Sequence, residues 1–229
     1  MDSLNLLRLL RLASPALPIG AFAYSQGLEW AVEAGWVRDA ATFAAWLRGV
    51  LRETMGSLDL PALARMHGAW RAGDVPAALE QSRELLAWRD NAEARREDRH
   101  LGASLARILA EEEAPELSAN ARLLLDAGEA SMTYVCAFAL AGALWGCDVR
   151  DTLTVYAWIF VEGQTMTAVK IVPLGQAAGQ RLLAAISGDV AAVVEAVLES
   201  GPSSFYSNTP GRSLAQLRHA GQRVRLFRS

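Results

Sequence analysis

The chain has 229 residues, of which 52% are apolar and 21% charged, so it can bury a sizeable hydrophobic core. Its net charge of −3 and pI near 5.7 provide no basic field that would attract a phosphate backbone, which argues against nucleic acid as a partner. The two cysteines, Cys136 and Cys147, lie in an apolar stretch and are interpreted as buried, reduced thiols, with a disulfide between them as the alternative.

Helical signals recur along the whole chain, and no alternating run of β-branched and aromatic residues interrupts them. A first short helix is predicted over 4–12, after which the bonds preceding Pro15 and Pro18 force extended backbone. A second helix is predicted over 21–34 and ends at Gly35, a residue suited to a helix C-terminus. The sequence therefore predicts an all-α fold.

Three aspartates predict the starts of the following helices, because an aspartate side chain accepts the free N–H groups of a first turn. Asp39 precedes apolar residues at helical spacing, and Asp59 and Asp74 each stand two residues before a proline, which the first turn tolerates. From 81 to 109, alternating Glu and Arg predict one long helix with a solvated or interface-facing surface.

The C-terminal half also shows helical patterns. Ser118 is predicted to cap a long apolar region, whose 18 uncharged residues over 130–147 just reach the length of a membrane span. Small residues dilute that stretch, so we interpret it as a buried central helix, with membrane insertion as the alternative. A further helix begins near Thr152, and Pro173 should break it. Two more helices are predicted over 176–187 and 189–199.

This pattern predicts a single helical-bundle-like domain of about ten helices over 1–202. Residues 203–211 are rich in Ser, Asn, Thr, Pro and Gly, so 203–229 is predicted to be a flexible linker followed by a flexible, basic C-terminal tail that binds a partner. The N-terminus lacks the basic region and apolar core of a signal peptide, which favours a cytoplasmic location.

Residues that carry chemistry are scarce. The chain has no GxxxxGK[ST] loop for nucleotide phosphates, and His67, His100 and His219 are isolated, which indicates surface or hydrogen-bonded side chains rather than metal ligands. No catalytic residue, metal site or cofactor is predicted. An enzyme that uses Glu162 as acid or base is one alternative, and a purely structural dimer is another.

The segment from Leu9 to Glu29, LLRLASPALPIGAFAYSQGLE, resembles the N-terminal motif of the UreF family of urease accessory proteins. The charged stretch over 89–105 is similar to the family's central helix, and EGQ with AVKIVPLGQ over 162–176 to its most recognisable segment. The ending RVRLFRS resembles the family's closing tail. The similarity extends over nearly the whole chain.

The resemblance implies a helical homodimer that acts in urease maturation and is not itself an enzyme. It implies binding to UreD, also called UreH, and through that complex to the GTPase UreG, whose activity the chain would modulate. The assembly would engage apo-urease and deliver nickel in a GTP-dependent step, and the family has a proposed internal passage for nickel.

Lys170 is the only lysine and has no acidic residue three or four positions away. The preferred interpretation is a snorkelling or structurally paired lysine. The alternative hypothesis, on which Lys170 is counted among the binding residues below, is that it reaches a nucleotide phosphate or an acidic group on UreG. Arginines alternate with apolar residues in the tail, a composition common at binding hot spots, with a frayed terminus as the alternative. The predicted partner-binding residues are Lys170, Tyr24, Glu29, Arg218, Arg223, Arg225, Leu226, Phe227 and Arg228.

Overall fold

The computed structural model of the chain describes residues 2–201, 206 and 209–228. These residues form α-helices, one 3₁₀ turn and one π-helical segment, with no strand among them, which confirms the all-α prediction. The 3₁₀ turn is Ala21–Ala23, and the π-helical segment is Leu51–Asp59. The α-helices are α1 Ser3–Leu12, α2 Leu28–Glu33, α3 Ala40–Val50, α4 Leu60–Arg71, α5 Val75–Ala87, α6 Ala92–Ala110, α7 Pro115–Asp126, α8 Tyr134–Leu144, α9 Val149–Ile171, α10 Gln176–Ser200 and α11 Pro210–His219.

Helix α8 is the centre of the bundle. Every residue from 134 to 143 is buried, and α4, α6, α7 and α9 pack around the helix. Thr133 caps it by accepting the Cys136 amide at 3.1 Å. A helix with apolar residues on every side is stable only when it is surrounded, so the uncharged stretch becomes the core. Both cysteines are free and buried, and no helix in the described part of the chain is long and apolar enough to cross a bilayer.

The prediction of one helix over 21–34 is wrong. The 3₁₀ turn and α2 are separated by residues 24–27, where Gln26 and Gly27 have φ angles of 55° and 88°. Left-handed backbone cannot continue a right-handed helix, so the chain must break there. A Cβ on Gly27 would also lie 3.0 Å from the Gln216 amide nitrogen, so glycine allows α11 to pack closely against this break.

Asp39 and Asp74 cap α3 and α5 as predicted, but the start predicted at Asp59 is wrong. From α3 to α4 the chain is one continuous helical rod, and Asp59 keeps helical dihedrals inside it. Pro61 is tolerated because the Ser57 carbonyl, four residues earlier, accepts the Tyr206 amide at 2.9 Å instead.

The prediction of a single helix over 81–109 with a solvated or interface-facing surface is wrong in two respects. Helix α5 ends at Ala87, and Asn91 starts α6 by accepting the Ala94 amide at 2.8 Å. The acidic residues at 93, 97 and 98 are buried rather than solvated. Burial of these carboxylates depends on partners from distant parts of the chain, which helical spacing does not reveal.

Three predictions about the C-terminal half can be compared with the structure. Ser118 does not cap a helix, because α7 already begins at Pro115. Pro173 does end the preceding helix, since α9 stops at Ile171. The two helices predicted over 176–187 and 189–199 are the single helix α10, in which Asp189 pairs with Arg48 and Arg52 instead of capping. Most of the linker predicted over 203–211 lies outside the described residues, and α11 was not predicted.

Candidate functional site at the C-terminal segment

The C-terminal segment, defined here as residues 220–228, folds back over the start of the chain. The carboxylate of Glu29 accepts the backbone amide of Leu226 through Oε1 at 2.7 Å and that of Phe227 through Oε2 at 3.1 Å. The amide of Arg228 donates to the Ala23 carbonyl at 2.8 Å. Because carboxylates accept backbone amides strongly, Glu29 is the main attachment point of the segment.

A second set of contacts fixes the start of the segment. His219 is fully buried, with Nε2 2.9 Å from Glu29 Oε2 and Nδ1 3.5 Å from Glu93 Oε2. Arg225 Nη1 lies 3.2 Å from the other Glu93 oxygen. A histidine and an arginine therefore face two carboxylates, an arrangement that offsets the cost of burying charge.

The three histidines have different environments, and none belongs to a metal-binding group within residues 2–201, 206 and 209–228. His219 takes part in the contacts just described, and His100 is exposed. His67 is buried with Nε2 3.1 Å from the Cys147 carbonyl oxygen, and its burial lowers the pKa of the imidazole. Surface or hydrogen-bonded roles account for all three.

Lys170 and Tyr24 both contact the C-terminal segment. The ammonium of Lys170 lies 5.9 Å from the centroid of the buried Phe227 ring, within the range of a cation–π interaction. Burial raises the pKa of the Tyr24 hydroxyl, and its hydrogen bond with the Arg228 side chain acts in the opposite direction. Five of the predicted residues, from three separate parts of the sequence, thus come together: Tyr24, Glu29, Lys170, Phe227 and Arg228.

Side chains of the segment alternate between the protein and solvent. Phe227 points inward, and Arg225 binds Glu93, whereas Val224 and Leu226 are 80% and 74% exposed. Arg218, Arg223 and Arg228 are also exposed around them. The structure therefore divides the predicted tail residues into a group that holds the segment in place and a group that faces outward.

A cavity of about 120 Å³ lies beside this site, between the 3₁₀ turn, the π-helical segment, α6, α9 and α11. In its wall, Arg89 donates from Nη2 to Asp59 at 2.5 Å and from Nε to Asp98 at 2.7 Å. Burial acts to lower the Arg89 pKa, but the two carboxylates outweigh it and raise that pKa above its ordinary range. Burial raises the pKa of Asp98, and Arg89 opposes this shift.

Gln26 connects the cavity wall to α11. Its Nε2 donates to Glu97 at 2.6 Å, and its Oε1 accepts from Arg212 at 2.9 Å. Among the described residues it is the one non-glycine residue with a positive φ angle, and such strain concentrates at functional positions. Sequence reasoning missed this residue. The helix start at Asn91 was also missed, although asparagine is a favoured residue at that position.

Comparison with known proteins extends over both the helical body and the C-terminal segment. A family model described as UreF matches residues 37–187. The urease accessory protein UreF of Methylobacillus flagellatus is 42% identical over 227 residues, which cover 99% of each chain. The protein of the same name from Azoarcus sp. is 43% identical over 99% of this chain and 96% of its own. That of Alcanivorax borkumensis is 37% identical over the full length of both. The chain therefore belongs to the UreF family of urease accessory proteins.

Proposed function

We propose that the protein is a non-catalytic, cytoplasmic scaffold in urease maturation. As a homodimer it binds UreD (UreH) and, through that complex, the GTPase UreG. The assembly engages apo-urease and delivers nickel in a GTP-dependent step, with the chain modulating the GTPase. Family membership supports a role in urease maturation, and the geometry of the C-terminal segment supports a binding role.

The observation that carries this proposal is the outward-facing half of the C-terminal segment. Val224 and Leu226 expose apolar side chains between exposed arginines, while Glu29 holds the backbone behind them. Holding a binding segment in one conformation lowers the entropy lost on association. Apolar anchors surrounded by arginines fit an apolar groove with an acidic rim, which we propose UreD supplies.

Leu214 and Leu217 add exposed apolar side chains on α11, the helix that precedes the segment. They are 41% and 56% exposed and stand one helical turn apart. We propose that they belong to the same binding surface, because exposed apolar patches mark protein–protein contacts. Arg218 follows Leu217 in the chain and is exposed, which supports a role in binding.

For Lys170 we propose the contact with UreG. Its side chain is exposed on the last turn of α9, and the Phe227 ring supports the ammonium from one side. A positive charge presented in this way can reach a phosphate or carboxylate on a partner. The Lys170→Ala variant should still form the complex but lose GTPase coupling and urease activation. Unchanged activation would leave Lys170 with a purely structural role.

The test of the scaffold proposal is co-expression with UreD and UreG, followed by size-exclusion chromatography and a urease activation assay. The double variant Val224→Asp, Leu226→Asp should reduce UreD capture by about tenfold or more. Leu123→Asp is a matched control, because Leu123 is 49% exposed on α7. Equal capture by the double variant and the control would refute a role for the segment.

An enzyme built around Glu162 receives less support. The side chain is half-buried on α9, and burial raises the pKa of its carboxyl group. Its neighbours Gly163 and Gln164 line the cavity, but Glu162 is not part of the described lining. A raised pKa outside a pocket is weak support for general acid catalysis.

A further inference from the structure

The buried ring of His219 faces two carboxylates at once. Its Nε2 lies 2.9 Å from Glu29 Oε2, and its Nδ1 lies 3.5 Å from Glu93 Oε2. An ionised carboxylate accepts hydrogen bonds and donates none, so a ring nitrogen can bond to it only when that nitrogen carries a proton. Both nitrogens can donate only when the imidazole is doubly protonated and positively charged.

A neutral imidazole would leave this contact incomplete. It has one N–H group, and the bond to Glu29 uses it, so a lone pair on Nδ1 would face Glu93. Within the described part of the chain, His219 Nδ1 and Glu93 Oε2 are both buried and have no other hydrogen-bond partner. A single proton on Nδ1 would turn the 3.5 Å gap into an attractive contact for both atoms.

The charges around the ring balance only with this proton. Glu29 of α2 and Glu93 of α6 are negative, and Arg225 of the C-terminal segment, 3.2 Å from Glu93 Oε1, is positive. With a neutral His219 this group keeps one uncompensated negative charge, and with a protonated ring it is neutral. An uncompensated charge is costly here, because the two carboxylate side chains are only 11% and 10% exposed.

Neighbouring charged groups do not alter this balance. Helix α11 packs against α2 and α6. On α2, Glu33 is exposed, and on α6, Glu97 accepts from Gln26. Exposed arginines complete the surroundings: Arg218, Arg223 and Arg228. His219 is therefore the group whose charge can change near neutral pH, because carboxylates and guanidinium groups ordinarily keep theirs in that range.

We propose that docking of the C-terminal segment takes up one proton on His219, so that the segment is held by a pH-dependent contact. Glu29 connects the ring to the segment, because its Oε2 faces His219 and also accepts the Phe227 amide. Loss of the proton leaves a lone pair against Glu93 and an unbalanced charge, and the segment loosens. The pH dependence of docking goes beyond the proposed function and does not require it. Its consequence, stronger UreD capture at lower pH, rests on that function.

The direction of the pH effect follows from the proton count. A state that binds an additional proton is favoured at low pH. Docking should be strongest below about pH 6.5, where a free imidazole is already protonated. Above that pH, docking should weaken by up to about tenfold for each pH unit, since one proton is released.

The test measures hydrogen exchange of the Leu226 and Phe227 amides across this pH range, corrected for the intrinsic exchange rate. Wild-type protection should be constant up to about pH 6.5 and then fall, by up to about 100-fold at about pH 8.5, while α8 keeps its protection. His219→Gln keeps a donor toward Glu29 but cannot gain a proton, so its protection should not depend on pH in this way. His100→Gln changes an exposed histidine and is the matched control, which should keep the wild-type dependence.

Nitrogen NMR of isotope-labelled histidine side chains gives a readout that needs no variant. In the wild-type chain at about pH 7, the His219 ring should show two protonated nitrogens. A ring with one N–H, wild-type protection that does not change with pH, or an unchanged pH dependence in His219→Gln would each overturn the proposal.

Capture of UreD is measured separately at the two ends of the pH range. If docking follows pH as expected and UreD capture does not, the proposed binding role of the segment fails while the proton-dependent contact stands. If capture occurs and docking does not respond to pH, the proton-dependent contact fails and the scaffold proposal is unaffected.

Discussion

Replacing Glu29 with glutamine tests whether one carboxylate fixes the C-terminal segment. The two oxygens of Glu29 accept the amides of Leu226 and Phe227 and contact the His219 ring. Glutamine has nearly the same shape but keeps only one acceptor oxygen, carries no charge and turns an amide N–H toward a donor. Docking of the segment should therefore weaken while the helix around residue 29 stays folded.

The expected loss follows from the number of bonds changed. A hydrogen bond to a charged group contributes about 1.5–3 kcal/mol, and the Glu29 side chain is only 11% exposed, so solvent screens it little. Losing one such bond and the charge behind the others should weaken docking by about 3 kcal/mol. This corresponds to a factor of about 100 in the docking equilibrium.

Hydrogen exchange measures this directly, because amides of a docked segment exchange only when it opens. Protection at Leu226 and Phe227 should fall about 100-fold, while amides in α8 keep theirs. Glu33→Gln is the control, since Glu33 is exposed and meets the segment through the Gln222 side chain. The reasoning is refuted if Glu29→Gln and Glu33→Gln give the same protection.

Three further changes have calculable outcomes. Arg89→Ala leaves two buried carboxylates unpaired and should lower the free energy of unfolding by about 3–5 kcal/mol in urea titrations. That deficit should shrink as the pH falls toward the raised pKa of Asp98, because protonation removes an unpaired charge. Phe227→Ala removes a cation–π contact worth about 0.5–1 kcal/mol, so acylation of Lys170, the only lysine, should speed up about two- to fivefold by peptide mass spectrometry. Gly102→Ala places a Cβ 2.6 Å from the Thr133 carbonyl carbon and should cost about 1–3 kcal/mol in thermal unfolding.

Each of these has a matched control. Arg38→Ala changes an exposed arginine and should stay within about 0.5 kcal/mol of the wild type. Leu226→Ala alters an exposed neighbour of Phe227 and should leave the acylation rate unchanged. Gly163→Ala meets open space inside α9 and should stabilise the protein by up to about 1 kcal/mol. Equal effects in a variant and its control would contradict the corresponding argument.

Local sequence patterns predicted helix starts and ends correctly where no residue from another part of the chain binds the groups involved. Asp39 and Asp74 start helices, Pro173 ends one, and the uncharged stretch became α8. In each case the cap, the missing N–H or the continuous apolar surface acts within a few residues. The sequence alone therefore carried enough information for the all-α fold and for most helix boundaries of this kind.

Predictions of helix starts failed where a residue far away in the sequence binds the side chain that was expected to cap the helix. Asp59 was predicted to start a helix, but Arg89 holds its carboxylate. At 189, where another helix start was predicted, the Asp189 carboxylate pairs with Arg48 and Arg52. The break at Gln26 depends on α11 packing against Gly27, which no local pattern reveals. For the same reason the tail residues were predicted as one binding group, whereas long-range bonds to Glu29 divide them into inward and outward members.

The π-helical segment sets the rotational phase between the two halves of the long rod that runs from α3 to α4. A π-helix has more residues per turn than an α-helix, so this segment decides which way every side chain of α4 faces relative to α3. If 51–59 relaxed to regular α-helix at the same length, these residues would wind further around the axis, and α4 would face another way relative to α3. Asp59 would swing away from Arg89, and the surface of α4 that covers α8 would face elsewhere. The wide winding of this segment, together with its length, therefore keeps the two halves of the rod in alignment with the bundle.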